Sequence, residues 1–375
     1  MIKFLKNLIA LFIGLIISLI TVELILRIYN PFPSVVKGDK IILRCNSMVE
    51  YNNLKNSKLS KTIYVSTNSL GFRGDNPPRD FNNYLTILTV GGSTTHCYYN
   101  SDDKTWPYDL AKDLDKNFNR IWVNNAGLSG HTTMGHIILM QDYIIKIKPK
   151  IVLFLVGIND LGDPKESGSY NTFTLYNFDN ESLKAKLKAF LYKSELVGLT
   201  VNISRKIKAA RRNLDYYIDF DLKKAEHLTL TDSQIQKVLN LYNDAYFVTY
   251  RQRLLKLIEL CRQNNIEPIF ITQPVLYGKG IDKETSVDLA TIKVSNNKNG
   301  LLEGELVDLV NQNTARVARE NGVFLVDLSS KMPKDSRYYF DLIHFTDEGN
   351  EVIAKIISDQ LTPYLQAWYK QFVKK

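Results

Sequence analysis

Four short segments of this 375-residue chain place nucleophilic, acid–base and amide groups where they could carry out acyl transfer. Gly91-Gly92-Ser93-Thr94-Thr95-His96 follows the apolar run Leu85–Val90. Two glycines allow a sharp backbone turn, which would present the Ser93 hydroxyl with its own N–H free. The string is not the elbow G-x-S-x-G, because Thr95 stands where the second glycine belongs. No G-K-[ST] follows, which excludes a phosphate loop. Near the carboxyl terminus comes Asp341-Leu342-Ile343-His344. Three residues apart on a turn, that carboxylate can accept Nδ1–H of the imidazole and leave Nε2 facing a serine. Two further segments end in polar residues: Asn124-Asn125-Ala126-Gly127-Leu128-Ser129-Gly130-His131-Thr132 and Val156-Gly157-Ile158-Asn159-Asp160. Each segment has a bland reading, as a helix cap or a decorated helix start. Together, in this order and each after an apolar run, they do not.

Something must position these groups. Five β-branched runs of strand type recur along the chain: Leu85–Val90, Ile121–Val123, Ile151–Val156, Pro268–Thr272 and Val323–Val326. Helical patterns alternate with them over Trp106–Phe118, Thr133–Ile147, Asp232–Asn264, Glu303–Glu320 and Asp347–Lys370. Thr231 with Gln234 forms a capping box at the start of the third of these. Alternation of this kind predicts an α/β fold of three layers, α/β/α, with a central parallel sheet of about five strands. The polar segments then fall at the strands' carboxyl ends, where open α/β sheets build their sites.

The four segments resemble, in order and in strand context, the blocks of the SGNH (GDSL-like) hydrolase family. The resemblance covers roughly 85–160 and 323–354 and implies a flavodoxin-like SGNH fold. It implies a nucleophile at Ser93, a base at His344 oriented by Asp341, and an oxyanion hole of the Ser93 and Gly130 N–H groups with the Asn159 amide. The family's Gly-Asp-Ser becomes Gly91-Gly92-Ser93 here, a change that many relatives share. Upstream, Thr67-Asn68-Ser69-Leu70-Gly71-Phe72-Arg73-Gly74 is similar to a lead-in found in membrane-anchored bacterial members. The expected activity is cleavage or transfer of an acyl group, acetyl included, on a small-molecule or carbohydrate ester. Water as acceptor makes an esterase, and a hydroxyl on a surface polysaccharide makes an O-acyltransferase. A catalytically silent polysaccharide-binding assembly protein is the alternative from another class, but it has no use for all five residues.

The rest of the chain sets the context. Leu8–Ile28 is an apolar run about 31 Å long as a helix, matching a hydrocarbon core of about 30 Å. Lys3 and Lys6 precede it, no small-x-small cleavage site follows, and Glu23 and Arg27 are spaced to pair. We therefore expect a signal anchor or transmembrane helix at 1–30, a connector at 31–80, and the hydrolase domain at 81–375. The chain is expected to be single-pass, with that domain outside the cytoplasm. Residues 163–230 break the strand–helix rhythm with a basic helical pattern and are expected as an insertion. Net charge is +9, but lysines are spread along the chain. That favours anionic lipid or acidic polysaccharide over nucleic acid. The three cysteines form no C-x-x-C pair, leaving both one disulfide and three thiols open. His96, His131 and His136 lack a metalloprotease spacing, so no metal or other cofactor is expected, and His96 and His131 are expected to line the cleft.

Overall fold

The structure, a computed structural model, describes residues 2–30, 36–37, 40–53, 56–162, 187, 190–211, 220–295 and 297–375. Five runs rich in Ile, Leu and Val pair as one sheet: β1 (Leu85–Gly91), β2 (Ile121–Asn125), β3 (Ile151–Leu155), β4 (Glu267–Ile271) and β5 (Phe324–Val326). Their order is β5-β4-β3-β1-β2, and every neighbouring pair is parallel. In this register Ile87 lies opposite Val123 on one side and Ile151 on the other. Parallel neighbours need crossover connections, and these are helices. In chain order the helices named below are α1 (Ile2–Ile28), α2 (Ser93–His96), α3 (Trp106–Asp115), α4 (Thr133–Leu139), α5 (Glu195–Arg211), α6 (Asp232–Leu239), α7 (Val248–Gln263), α8 (Gly300–Glu320) and α9 (Asp347–Trp368).

Both faces of the sheet are covered. β1 and β3 are buried at every residue, as continuous apolar strands between two helical layers must be. On one face Leu85, Ile87, Leu153 and Ile269 share a core with Trp106 and Leu110 of α3 and Ile353 and Ile357 of α9. The alternate residues Leu88, Val90, Val152, Phe154 and Phe270 are equally buried and point to the opposite face. There α7 packs against both α4 and α8.

The expected elements are present with three differences. The single long helix expected over Asp232–Asn264 is two, α6 and α7. Asn243 turns its side-chain oxygen to the N–H of Tyr246 (3.2 Å), and Tyr242 and Phe247 are buried in the turn. Short polar side chains that bond nearby backbone compete with the helix in this way. The pattern over Thr133–Ile147 is α4, then a π-helical turn at Met140–Ile144, then a last short turn at Ile145–Ile147. Within the stretch expected as connector, Met48–Asn52 and Thr62–Ser66 pair as an antiparallel hairpin. The capping box at Thr231 and Gln234 is formed, and Thr346 caps α9 by accepting the N–H of Gly349 at 3.0 Å.

The chain divides into two compact units, one holding α1 and α5 and the other holding the hairpin, the sheet and the remaining helices. In the first unit, Lys3–Ile28 is long and apolar enough to cross a membrane. Glu23 pairs with Arg27 at 2.9 Å, and its carboxylate also accepts the Ser194 hydroxyl at 2.7 Å and the Leu196 N–H at 3.0 Å. Most of the insertion expected at 163–230 lies outside the described residues. All three cysteines are free thiols: Cys45 is exposed, and Cys97 and Cys261 are buried.

Candidate active site

Ser93 opens α2, a single turn entered directly from β1 through Gly92. A Cβ on Gly92 would run into Nδ2 of Asn159, so only glycine permits that close approach. His344 arrives on the turn before α9. Its Nε2 lies 2.7 Å from Ser93 Oγ, and its Nδ1 lies 2.7 Å from Asp341 Oδ2. The other Asp341 oxygen accepts the N–H groups of Ile343 and His344, each at 2.7 Å. An ionised carboxylate only accepts, so Nδ1 carries the proton and Nε2 is left to accept from the Ser93 hydroxyl. Burial pushes the Asp341 carboxyl up, but the His344 side chain and the two N–H donors outweigh it and hold it below the usual range. Phe340 stacks on the His344 ring at 5.6 Å and 12°, and Leu276 N–H bonds Leu342 O at 3.0 Å. The turn carrying His344 is thus fixed to the loop after β4.

The groups expected to face a developing oxyanion gather beside Ser93. Asn159 sits on a 3₁₀ turn after β3 and spends one amide hydrogen on His131 O at 3.0 Å. Gly130 has φ +75°, a left-handed conformation that a side chain would strain. Its loop is tied down on either side: Leu128 N–H bonds Gly91 O at 3.0 Å, and Ser129 Oγ lies 2.9 Å from His96 Nδ1. Among the described residues the N–H groups of Ser93 and Gly130 have no acceptor. Next to Ser93 and His344 is a cavity of about 20 Å³ walled by Cys97, Tyr98, Tyr99, Phe340 and Phe345, enough for roughly one water.

Two supports escaped the sequence reading. Gln273, fully buried after β4, accepts the Thr94 hydroxyl at 3.1 Å, and its backbone exchanges hydrogen bonds with the Asn311 amide at 2.8 and 3.0 Å. The signal was available, as a polar residue following an apolar strand run. Asp160, next to Asn159, accepts the N–H and hydroxyl of Thr133 at the start of α4 and lies 3.4 Å from Arg253. Burial pushes its carboxyl up to about 6, against the pull of Thr133 and Arg253. Arg253 is some ninety positions downstream, and nothing local in the sequence links the two.

The histidines differ from expectation in one respect. His96 meets Ser129 beside the Ser93 turn, but His131 is buried with its ring against Gly135 of α4, instead of lining the cleft. Gly135 leaves the ring its room, because a side chain there would run into His131 Nδ1. Burial pushes His96, His131 and His136 down to about 3, 4 and 3, with the Arg73 charge adding to the effect at His96. All three are neutral near pH 7. Among the described residues no group of three or more His, Cys, Asp or Glu side chains is placed to hold a metal ion.

The family described as GDSL-like Lipase/Acylhydrolase matches residues 89–352, well over half of the chain. No curated protein sequence matches. Among solved structures the chain is similar to an acetylxylan esterase of Geobacillus stearothermophilus, as a catalytic mutant (14% identity, 73% of this chain and 93% of that one, TM-score 0.39). It is also similar to a GDSL-like lipase of Bacteroides thetaiotaomicron (12% identity, 78% and 93%, TM-score 0.39). A third is an alpha/beta hydrolase from the metagenome of Lake Arreo, Spain (14% identity, 74% and 96%, TM-score 0.40).

The buried imidazoles make stability depend on pH. Folding holds His136 near 3, whereas an exposed imidazole titrates near 6.5. A depressed value means that the unfolded chain binds the extra proton. The contribution is therefore whole above about 6.5 and is lost as pH falls towards about 3. We expect the Tm of the full chain in detergent to fall more steeply from pH 6.5 to 4 than that of His136→Gln. Equal slopes would show that His136 is not held neutral by burial.

Proposed function

Because this chain belongs to the GDSL-like lipase/acylhydrolase family, we propose that it is a serine esterase with Ser93 as nucleophile, His344 as base and Asp341 as the group that orients the base. The observation that carries the reading is the unbroken line Ser93 Oγ–His344–Asp341, with both links at 2.7 Å. Ser93 Oγ attacks the ester carbonyl carbon as its proton passes to His344 Nε2, and Asp341 stabilises the imidazolium. The carbonyl oxygen becomes an oxyanion, held by the Ser93 and Gly130 N–H groups and by the Asn159 amide hydrogen not bonded to His131. Stabilising it there lowers the barrier far more than holding the ground-state carbonyl would. The intermediate collapses, His344 returns the proton to the leaving alcohol, and Ser93 is left acylated. Water, activated by the same imidazole, then releases the acid. A sugar hydroxyl in place of that water would give O-acyl transfer, so product analysis with and without a saccharide acceptor separates the two outcomes.

The apolar helix α1 is proposed as a membrane anchor and residues 81–375 as the hydrolase domain, joined by the connector at 31–80. Lys3 and Lys6 ahead of the run favour an amino terminus on the cytoplasmic side, with catalysis outside. The full chain is expected to stay with the membrane through alkaline carbonate, and its recovery in the soluble fraction would refute the anchor.

The catalytic assignment predicts that Ser93→Ala and His344→Ala each lower hydrolysis of short acyl esters by about 10³-fold or more, with folded yield unchanged. Near-normal turnover by Ser93→Ala would remove it as nucleophile.

A further inference from the structure

The segment Asn68-Ser69-Leu70-Gly71-Phe72-Arg73-Gly74 touches none of the groups assigned above, yet its arginine is 3% exposed. We infer that Arg73 is a positioning residue that fixes the turn carrying the nucleophile; this rests on Ser93 being that nucleophile. The guanidinium makes four hydrogen bonds and an ion pair. Nε donates to Asp102 Oδ1 at 2.8 Å, Nη1 to His96 O and Cys97 O at 2.6 and 2.7 Å, and Nη2 to Asn100 O at 2.8 Å, while Nη2 also lies 2.7 Å from Asp102 Oδ1 as an ion pair. Three of these acceptors are carbonyls at the end of α2 and in the loop that follows.

Those carbonyls need partners from outside the helix. α2 lasts four residues, and Cys97 ends it in the left-handed region at φ +50°. The last carbonyls of any helix have no partner within it, and here the guanidinium takes the place of the missing turn. Its charge also lies at the negative end of the turn's dipoles, the favourable end for a cation. Asn125 works alongside it, donating its amide to Thr95 O at 2.6 Å.

The clamp is itself held rigid. The backbones of Arg73 and Asn125 exchange hydrogen bonds at 3.0 and 2.9 Å, which fastens Arg73 to the end of β2. Asp102, its counter-charge, accepts the N–H and hydroxyl of Ser66 at 2.8 and 2.6 Å. Asn68 closes the loop by accepting from Leu70 and Phe72 and donating to Asp75 O and Asn124 Oδ1. The nucleophile turn is therefore bracketed from its far end by β2 and by the Thr62–Ser66 strand. Ser93 is only three residues from His96, so any drift of that end carries Ser93 Oγ off His344 Nε2. A displacement of about 1 Å costs on the order of 100-fold in rate.

Arg73→Lys tests this in the full chain in detergent, because lysine keeps the charge but cannot make the planar fork. Active sites are counted by stoichiometric labelling with a fluorophosphonate, and kcat and KM for a short acyl ester are expressed per labelled site. We expect kcat per site to fall about tenfold or more with KM little changed. Asp102→Asn, which leaves the guanidinium in place and removes only its counter-charge, gives a smaller fall in the same quantity. For Arg73→Ala, millimolar guanidinium restores part of kcat per site and methylammonium does not. Wild-type kcat per labelled site in whichever variant folds, with the loss confined to the number of sites, makes Arg73 a folding residue and overturns the inference. Failure of all three variants to fold does the same. Full activity of Ser93→Ala, assayed in parallel, instead overturns the reading on which the inference rests.

Discussion

The site depends on one topological constraint, the change of direction at β1. Its two neighbours, β2 and β3, lie on opposite sides of it, so the chain leaving β1 and the chain leaving β3 part around a crevice at the carboxyl edge of the sheet. Ser93 stands at the first exit and Asn159 at the second, and Gly92 lets them approach. The groups proposed to attack the carbonyl and to hold its oxygen are thus neighbours because two interior strands are neighbours. The proposed base comes from elsewhere in the chain. His344 lies 251 residues from Ser93, and α9, packed on α3 beneath the same sheet, brings it back.

What surrounds the crevice keeps this geometry electrically simple. His96, His131 and His136 are held neutral near pH 7 and add no charge to this part of the fold. The Asp341 carboxyl is held ionised by its own turn and by His344, so it stays a pure acceptor and fixes which ring nitrogen carries the proton. Asp160 and Arg253 cancel each other inside the protein, behind Asn159. Buried Asp282 is held instead by four donors, the N–H and hydroxyl groups of Thr285 and Ser336, since a buried charge needs compensating partners.

The sheet and the polar groups gathered at its carboxyl edge were legible because both leave local marks. Strands buried on two faces appear as short continuous apolar runs, and a turn with a functional group appears as glycines and polar residues immediately after one. Gly91–Ser93, Gly157–Asn159 and Asp341–His344 all have that form. The supports were less legible because their partners are remote in sequence. Arg253 reads as one more polar residue on an amphipathic helix, and only the fold sets it against Asp160. The break between α6 and α7 was missed because a helical apolar period carries on through 240–247, and the side-chain bond from Asn243 is invisible to periodicity. His131 was misplaced for a related reason: a polar segment after a strand does not say which of its side chains turns inward.

In the proposed reaction Ser93 Oγ, activated by His344, is the atom that becomes acylated. The most direct measurement is to trap that step by reacting the folded full-length chain with an alkyl fluorophosphonate, digesting it and locating the adduct by mass spectrometry. We expect a single adduct on the peptide containing Ser93, formed fast in the wild type and far more slowly in His344→Ala. An adduct on any other serine, or equal rates with and without His344, would contradict it.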